Sequence, residues 1–176
     1  MLIVIMALTV GCLFGRSKNE VQYPIVDDLE PYVISLDDLP ENWIQDHVWS
    51  EMPNWKYGSK RIFIEYIHAL TRGRIESYIF QYTTAEGAEY GYPYIIKDIR
   101  TQNKYLIEYF EYKSSYADES QLFCVEMPSG WPRCEYFARY RNNVFYMYLN
   151  AYLSTEEMGE LLHKADLKMR ALLSVK

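Results

Sequence analysis

The segment 134–153 constrains the fold of this chain more than any other stretch. Its side chains alternate with a period of two, which is the pattern of a β-strand rather than of a helix. The pair Asn142-Asn143 interrupts the alternation, and both residues tolerate the positive φ that a two-residue hairpin turn requires. The segment therefore predicts a β-hairpin in which Tyr140 faces Phe145 and the register continues to Cys134 opposite Ala151.

The alternation also assigns every side chain of this hairpin to one of two faces. The face that we predict to be the core carries Cys134, Tyr136, Ala138, Tyr140, Phe145, Met147, Leu149 and Ala151. The other face carries Glu135, Phe137, Arg139, Tyr146, Tyr148 and Asn150. A slip of one residue would exchange the two faces, so the agreement between the two halves supports the hairpin.

Further elements follow from propensity and capping. Segments rich in β-branched and aromatic residues predict strands over 43–49, 62–70, 74–82, 105–112 and 121–126. Capping-box spacing at Thr83–Glu86 and at Ser154–Glu157 predicts two helix starts. Pro93 should end the first helix near Tyr90 or bend it, and we favour a bend followed by helix over 94–99. The second helix carries an apolar stripe of Met158, Leu161, Leu162, Ala165, Met169, Leu172 and Leu173.

The order of these elements predicts an α+β fold, in which two helices pack on an antiparallel β-sheet with hairpin connections. The length of 176 residues fits one such domain. The arrangement is loosely similar to the PsbP-like group of exported domains. The sequence Leu39-Pro40-Glu41-Asn42-Trp43 also resembles the Leu-Pro-x-x-Trp opening of several small exported domains. Neither resemblance implies any site residue.

An apolar leader opens the chain, since Met1–Phe14 contains no charged side chain. As a helix it would be about 21 Å long, shorter than the roughly 30 Å hydrocarbon core of a bilayer. It therefore predicts the apolar region of a secretory signal rather than a membrane span. The leader ends in Gly11-Cys12, which resembles the lipobox of prokaryotic lipoproteins, where a small residue precedes an acylated cysteine. Thr9 stands where Leu is usual, and no Lys or Arg precedes Leu2.

The lipobox resemblance implies a lipid such as palmitate on Cys12, and hence a protein anchored at the extracytoplasmic face of the cell membrane. We expect a signal peptide over 1–11, a lipidated tether over 12–33 and a single α+β domain over 34–176. A plain signal peptide or a short uncleaved anchor would also fit the leader. In place of the tether, an arm could lie across the domain through Val26, Leu29, Tyr32 and Ile34.

The two remaining cysteines flank a turn sequence, Met127-Pro128-Ser129-Gly130-Trp131-Pro132, between two strand-like runs. Opposed residues of an antiparallel pair lie close to bridging distance, so we predict a disulfide between Cys124 and Cys134. A disulfide fits an exported protein. Two buried free thiols are the alternative.

Composition argues against nucleic acid as a partner and leaves a ligand bound by aromatic side chains open. The net charge is −6 and the basic residues are scattered, which argues against nucleic-acid binding. The 18 tyrosines fit a large antiparallel sheet, although an aromatic ligand surface would also use them. Tyr146, Tyr148, Arg139 and Trp131 are the candidate ligand surface, for a sugar or a peptide; the alternative is that the first helix or the N-terminal arm covers this face.

No catalytic or metal-binding motif stands out in the sequence. His47, His68 and His163 lack metal-ligand spacing, and Asp46 and His47 should point to opposite faces of a strand. We therefore expect no metal and no cofactor. Glu65 and Glu108 lie in apolar strands and are the carboxylates that an unrecognised enzyme site would use.

Three functions fit these observations. The first is a membrane-tethered lipoprotein that acts as a non-catalytic binding or accessory module, with an envelope protein or a glycan as partner. The second is an extracytoplasmic enzyme built on carboxylates. The third is a structural subunit of an envelope complex.

Overall fold

The computed structural model describes residues 21–51, 59–100, 111–126, 132–150 and 153–175. Two short 3-10 helices, Glu30–Tyr32 and Leu36–Asp38, come first. They are followed by β1 (Trp43–Glu51), β2 (Ser59–His68), β3 (Arg74–Tyr82), α1 (Ala85–Arg100), β4 (Glu119–Glu126), β5 (Pro132–Tyr140), β6 (Asn143–Asn150) and α2 (Thr155–Leu172). The predicted leader with Cys12, residues 105–110 of a predicted strand, Trp131 and Ala151 lie outside the described residues.

The six strands form one antiparallel sheet in the order β1-β2-β3-β6-β5-β4. Two three-stranded meanders meet where β3 pairs with β6. One face of the sheet packs against α2, and part of the other face packs against α1. The predicted α+β class, with an antiparallel sheet and two helices packed on it, is confirmed.

The β5–β6 hairpin forms, but its register differs by two residues from our prediction. The turn lies at Arg141-Asn142, where Arg141 has a φ of 51°, and Tyr140 pairs with Asn143 rather than facing Phe145. Cys134 accordingly pairs with Leu149. Asn143 belongs to β6, where it pairs with Gln81 of β3, and its side-chain oxygen accepts a hydrogen bond from the Gln81 side chain at 3.1 Å. A shift of two residues preserves the side-chain faces, so the predicted core face is correct.

α1 is one continuous helix that includes Pro93, so it does not end near Tyr90, and the helix that we favoured over 94–99 is present. Pro93 and Glu89 are both exposed, and the carbonyl that loses its helical partner can bond to water there. The helix also begins one residue later than its predicted cap. The Thr84 hydroxyl, rather than that of Thr83, accepts the hydrogen bond from the Gly87 N–H at 2.9 Å.

Gly91 lets α1 approach the sheet closely. A Cβ atom at this position would lie 2.1 Å from the Tyr82 hydroxyl oxygen and 2.6 Å from its Cζ atom. These distances are far below van der Waals contact, so a side chain larger than hydrogen would force α1 and β3 apart. Gly91 is therefore a packing residue.

α2 begins at the predicted capping box and packs as its apolar stripe indicates. The Ser154 hydroxyl accepts from the Glu157 N–H, and the Glu157 carboxylate accepts from the Ser154 N–H at 2.7 Å. The hydrogen bonds that the Ser154 N–H and hydroxyl donate to the Glu157 carboxylate lower the pKa of that carboxyl. The stripe lies against the face of the sheet that carries Phe145, Met147 and Leu149.

Residues 21–33 lie on the domain and do not extend away from it. The Tyr23 N–H donates to the Thr83 carbonyl at 2.8 Å, and the Val26 N–H donates to the Gln81 side-chain oxygen at 2.6 Å. Leu29 and Val33 are 1% and 0% exposed within the α2-side core. Residues 21–33 thus lie as in the alternative to a tether, an arm across the domain. The apolar side chains of residues 21–33 pack on the domain because burying apolar surface stabilises the folded state by about 25 cal/mol per Å².

Cys124 and Cys134 are direct partners across β4 and β5, as predicted. Their Cα atoms are 4.1 Å apart and their sulfur atoms 2.05 Å apart, which is the distance of a disulfide bond. Both residues are buried in the α2-side core.

Candidate functional site

Two rows of side chains cross the sheet on the face that carries α1. The aromatic row consists of Trp49, Phe63, Tyr78, Tyr146 and Phe137, which are successive partners across β1, β2, β3, β6 and β5. The charged row consists of His47, Glu65, Glu76, Tyr148 and Glu135, again as successive partners. Each member of the charged row lies two positions from a member of the aromatic row, so both rows share one face.

The aromatic row is mostly covered. Its successive ring centroids are 5.5, 4.6, 5.2 and 4.8 Å apart, from Trp49 to Phe137. Tyr146 is 6% exposed and belongs to the cluster that packs against α1. Burial raises the pKa of the Tyr146 phenol far above its usual value. Tyr146, one residue of the predicted ligand surface, is therefore covered by α1. This agrees with the alternative prediction that the first helix covers this face.

The charged row holds carboxylates that are buried and paired. Glu65 and Glu135 are 6% and 3% exposed. The Arg74 Nε atom contacts the carboxylate of Glu65 and lies 2.8 Å from that of Glu76. Desolvation alone would lower the pKa of Arg74, but the negative charges of Glu76 and Glu65 outweigh it and raise that pKa. At this end of the row, two carboxylates therefore share one guanidinium.

Asp46 and His47 lie on the same side of β1, which contradicts our prediction of opposite faces. The β1–β2 register shifts between Gln45 and His47, so Asp46 is the extra residue of a β-bulge. The His47 Nδ1 atom is 2.7 Å from the Asp46 carboxylate and 3.4 Å from that of Glu65. Side-chain alternation holds only in a regular strand, and the sequence contains no signal that marks this bulge.

The basic partner of Tyr148 is Arg133, not Arg139. The Arg133 guanidinium lies 4.8 Å from the centre of the Tyr148 ring and donates to the Glu135 carboxylate at 2.8 Å. Arg139 is paired with Asp118 at 3.3 Å. Arg139 lies opposite Val144, four residues or about 13 Å along β6 from Tyr148. The structure therefore does not bring together Arg139 and Tyr148, two residues of the predicted ligand surface. A third residue of that surface, Trp131, lies outside the described residues.

The other sequence candidates are dispersed. His68 packs edge-on against Trp43, with ring centroids 5.2 Å apart, and its Nδ1 atom accepts from the Thr71 N–H at 3.2 Å. His163 is exposed on α2. Glu108 lies outside the described residues. Among the metal and catalytic candidates in the described part of the chain, Asp46, His47 and Glu65 lie side by side.

Asp166 is a buried carboxylate that we did not single out. It is 1% exposed on the inner face of α2 and accepts hydrogen bonds from three phenols, those of Tyr112 at 2.7 Å, Tyr136 at 3.0 Å and Tyr140. Burial, and then the Asp166 carboxylate, raise the pKa of Tyr112 and of Tyr136, so these phenols stay protonated and donate. A signal existed, because Asp166 falls four residues after Leu162 and three before Met169, within the apolar stripe.

A shallow crevice lies near the start of α2. Its volume is about 270 Å³, and it is lined by Asp38, Leu39, Pro40, Leu153, Glu157, Glu160, Leu161 and Lys164. Lys168 pairs with the Asp38 carboxylate at 3.0 Å. Burial favours the neutral form of Asp38, but hydrogen bonds from Ser35 and the charge of Lys168 prevail and lower its pKa. The Lys168–Asp38 ion pair thus holds the second 3-10 helix, Leu36–Asp38, against α2.

No protein-family model, curated protein sequence or solved structure matches this chain. Among the described residues, no helix is long and apolar enough to cross a membrane. The geometry of the charged row is therefore the basis for assigning chemistry. In this row the carboxylates accept and the paired guanidiniums donate hydrogen bonds in fixed directions. The His47 end of the row can ligate a cation.

Proposed function

We propose that this chain is an exported lipoprotein, tethered to the cell membrane through Cys12, that acts as a non-catalytic binding module of the cell envelope. The observation that carries the proposal is the Cys124–Cys134 pair at disulfide distance within a β-ladder. Structural disulfides form and persist in oxidising, extracytoplasmic compartments. The Gly11-Cys12 sequence supports the same location from the other end of the chain.

On this proposal the segment between the lipid and the folded domain is short. The first described bridge joins Gln22 to Thr84, ten residues after Cys12. An extended chain of this length spans at most about 35 Å. A lipid on Cys12 would therefore hold the domain close to the membrane surface, with the start of α1 on the side from which the tether leaves.

A binding role is supported by the ion pairs that the carboxylates of the charged row form with arginine side chains. Glu65 and Glu76 share Arg74, and Glu135 is paired with Arg133 beside Tyr148. Such pairs hold side chains in fixed positions, which suits the recognition of a hydroxylated ligand. Tyr148, Arg133 and Asn150 are each partly exposed, so this corner of the charged row is the surface that we assign to a glycan or an envelope protein.

Lipid attachment is tested by expressing the full chain with a palmitate analogue that can be detected after labelling. We expect the wild type to carry label and to stay in the membrane fraction after a high-salt wash, whereas Cys12→Ala carries none. Cys124→Ser is the matched control and should keep its label. An unlabelled wild type would remove the lipoprotein part of the proposal, and an unlabelled but membrane-bound chain would indicate an uncleaved anchor.

The disulfide is tested by mass spectrometry of the protein purified without reductant. We expect the mass of the bridged form; a mass 2 Da higher would show free thiols and contradict export to an oxidising compartment. Reduction should lower the free energy of unfolding by about 2.8 kcal/mol, the chain-entropy value for a loop of this size. The cysteines are separated by 10 residues in sequence.

A further inference from the structure

We propose that Asp46, His47 and Glu65 form a binding site for a borderline divalent cation of the Zn²⁺ type at the outer edge of the sheet. One ligand atom of each residue, an imidazole nitrogen and two carboxylate oxygens, lies within 4.8 Å of the other two. Nitrogen and oxygen donors in this combination are a donor set that Zn²⁺ uses. The site is the β1 end of the charged row, two strands from Tyr148, and it does not depend on the proposed function.

The two distances from His47 to the carboxylates can be compared with those that a tetrahedral ion imposes. With bonds of about 2.05 Å, two ligand atoms of a tetrahedral Zn²⁺ are separated by roughly 3.3 Å. The His47 Nδ1 atom is already 3.4 Å from the Glu65 Oε2 atom. The 2.7 Å between His47 Nδ1 and Asp46 Oδ2 must open by about 0.6 Å, which two side chains on a strand edge can provide.

The charge balance favours a cation independently of this geometry. Asp46, Glu65 and Glu76 bring three negative charges to the cluster, and Arg74 is the one guanidinium that contacts Glu65 and Glu76 among the described residues. The carboxylates of the cluster thus outnumber the guanidinium that contacts them. Glu65 is moreover buried and shares Arg74 with Glu76, so a divalent ion would offset the negative charge that one guanidinium leaves uncompensated.

Arg74 holds Glu65 in place and leaves its second oxygen available. The guanidinium contacts the Oε1 atom of Glu65, while Oε2 faces His47. Hydrogen bonding of the far oxygen is how metal-ligating carboxylates are commonly oriented. The side chains of Asp46 and His47 are 37% and 65% exposed, so an ion can enter from solvent and retain a water as its fourth ligand.

The test is calorimetric titration of the untagged full chain, purified in a mild detergent, with Zn²⁺ and, for comparison, with Mg²⁺. We expect one Zn²⁺ per chain and far weaker binding of Mg²⁺, which prefers octahedral oxygen ligands. His47→Gln should weaken Zn²⁺ binding at least tenfold, and because His47 is mostly exposed this variant should fold normally. His163→Gln replaces an exposed histidine of α2 and should bind as the wild type does.

Two results would overturn the proposal. One is the absence of saturable Zn²⁺ binding at concentrations up to about 1 mM, the limit of even weak specific binding. The other is equal affinity in the wild type and in His47→Gln, which would place the ion elsewhere. Asp46→Asn provides a second variant on the exposed side, and Zn²⁺ should raise the midpoint of thermal unfolding in the wild type but not in either site variant.

Discussion

Asp166 shows how one residue can join three parts of the fold. Its carboxylate on α2 receives phenol hydrogen bonds from Tyr136 and Tyr140 of β5 and from Tyr112, which precedes β4. A buried carboxylate is costly unless hydrogen bonds replace its lost hydration. Three donors do so here, and each donor is itself a large side chain in or beside the core. The network therefore fixes the position of α2 along the sheet.

Replacing Asp166 by Asn should lower the free energy of unfolding by about 2–3 kcal/mol. Asn keeps the size of Asp, but it offers one carbonyl oxygen in place of two charged oxygens, and hydrogen bonds to a charged group are worth about 1.5–3 kcal/mol. The measurement is urea unfolding followed by circular dichroism. Asp27→Asn, at an exposed position of the arm, should change stability by less than about 0.5 kcal/mol. Equal stability of both variants would contradict the network.

At the scale of elements, the contact between α1 and β3 depends on the absence of a side chain at Gly91. Alanine in an ordinary helix interior is about 1 kcal/mol more favourable than glycine. Here the added Cβ would lie 2.1 Å from the Tyr82 hydroxyl oxygen. Helix propensity and packing thus predict changes of opposite sign, and the sign of the measured change decides between them.

We expect Gly91→Ala to destabilise the domain by about 1–3 kcal/mol, the usual range for overpacking. Tyr82→Phe is the companion variant, because it removes the atom nearest to the new Cβ. The Tyr82 hydroxyl is buried and has no hydrogen-bond partner among the described residues, so Tyr82→Phe alone should be nearly neutral. The double variant should recover part of the loss. A more stable Gly91→Ala protein would show that α1 does not lie this close to β3.

At the scale of the whole molecule, the N-terminal arm is part of the folded domain. Leu29, Val33 and Ile34 belong to the α2-side core, and the Tyr66 phenol donates to the Ile34 carbonyl at 2.7 Å. Burial raises the pKa of Tyr66 to about 12, so this donor keeps its proton at all ordinary pH values. Removing the arm would expose the core, whereas removing a tether would leave the domain intact.

Leu29→Ala should therefore cost about 2–4 kcal/mol of unfolding free energy, the range for truncating a buried leucine. Leu36→Ala is the matched control, since Leu36 is 42% exposed, and it should cost less than about 0.5 kcal/mol. Both variants are measured by urea unfolding of the full chain. If the two changes were alike and small, residues 21–33 would behave as the tether that the sequence suggested.

The sequence by itself determined the α+β class, the core face of the β5–β6 hairpin, the capping of α2 and the Cys124–Cys134 pairing. These features follow from patterns among neighbouring residues, such as alternation with period two and capping-box spacing. Alternation fixes faces but not register, because a shift of two residues leaves every face unchanged. That is why the turn at Arg141-Asn142 was not predictable from alternation.

Only the tertiary structure decided the candidate site. The bulge at Asp46 brings His47 beside Glu65, although 18 residues separate them in the sequence and alternation would place Asp46 on the opposite face. The register of β5 against β6 likewise decides that Arg133, and not the predicted Arg139, lies beside Tyr148. Contacts between strands are set by the pairing of distant backbone segments. No local pattern of residues encodes that pairing to within one position.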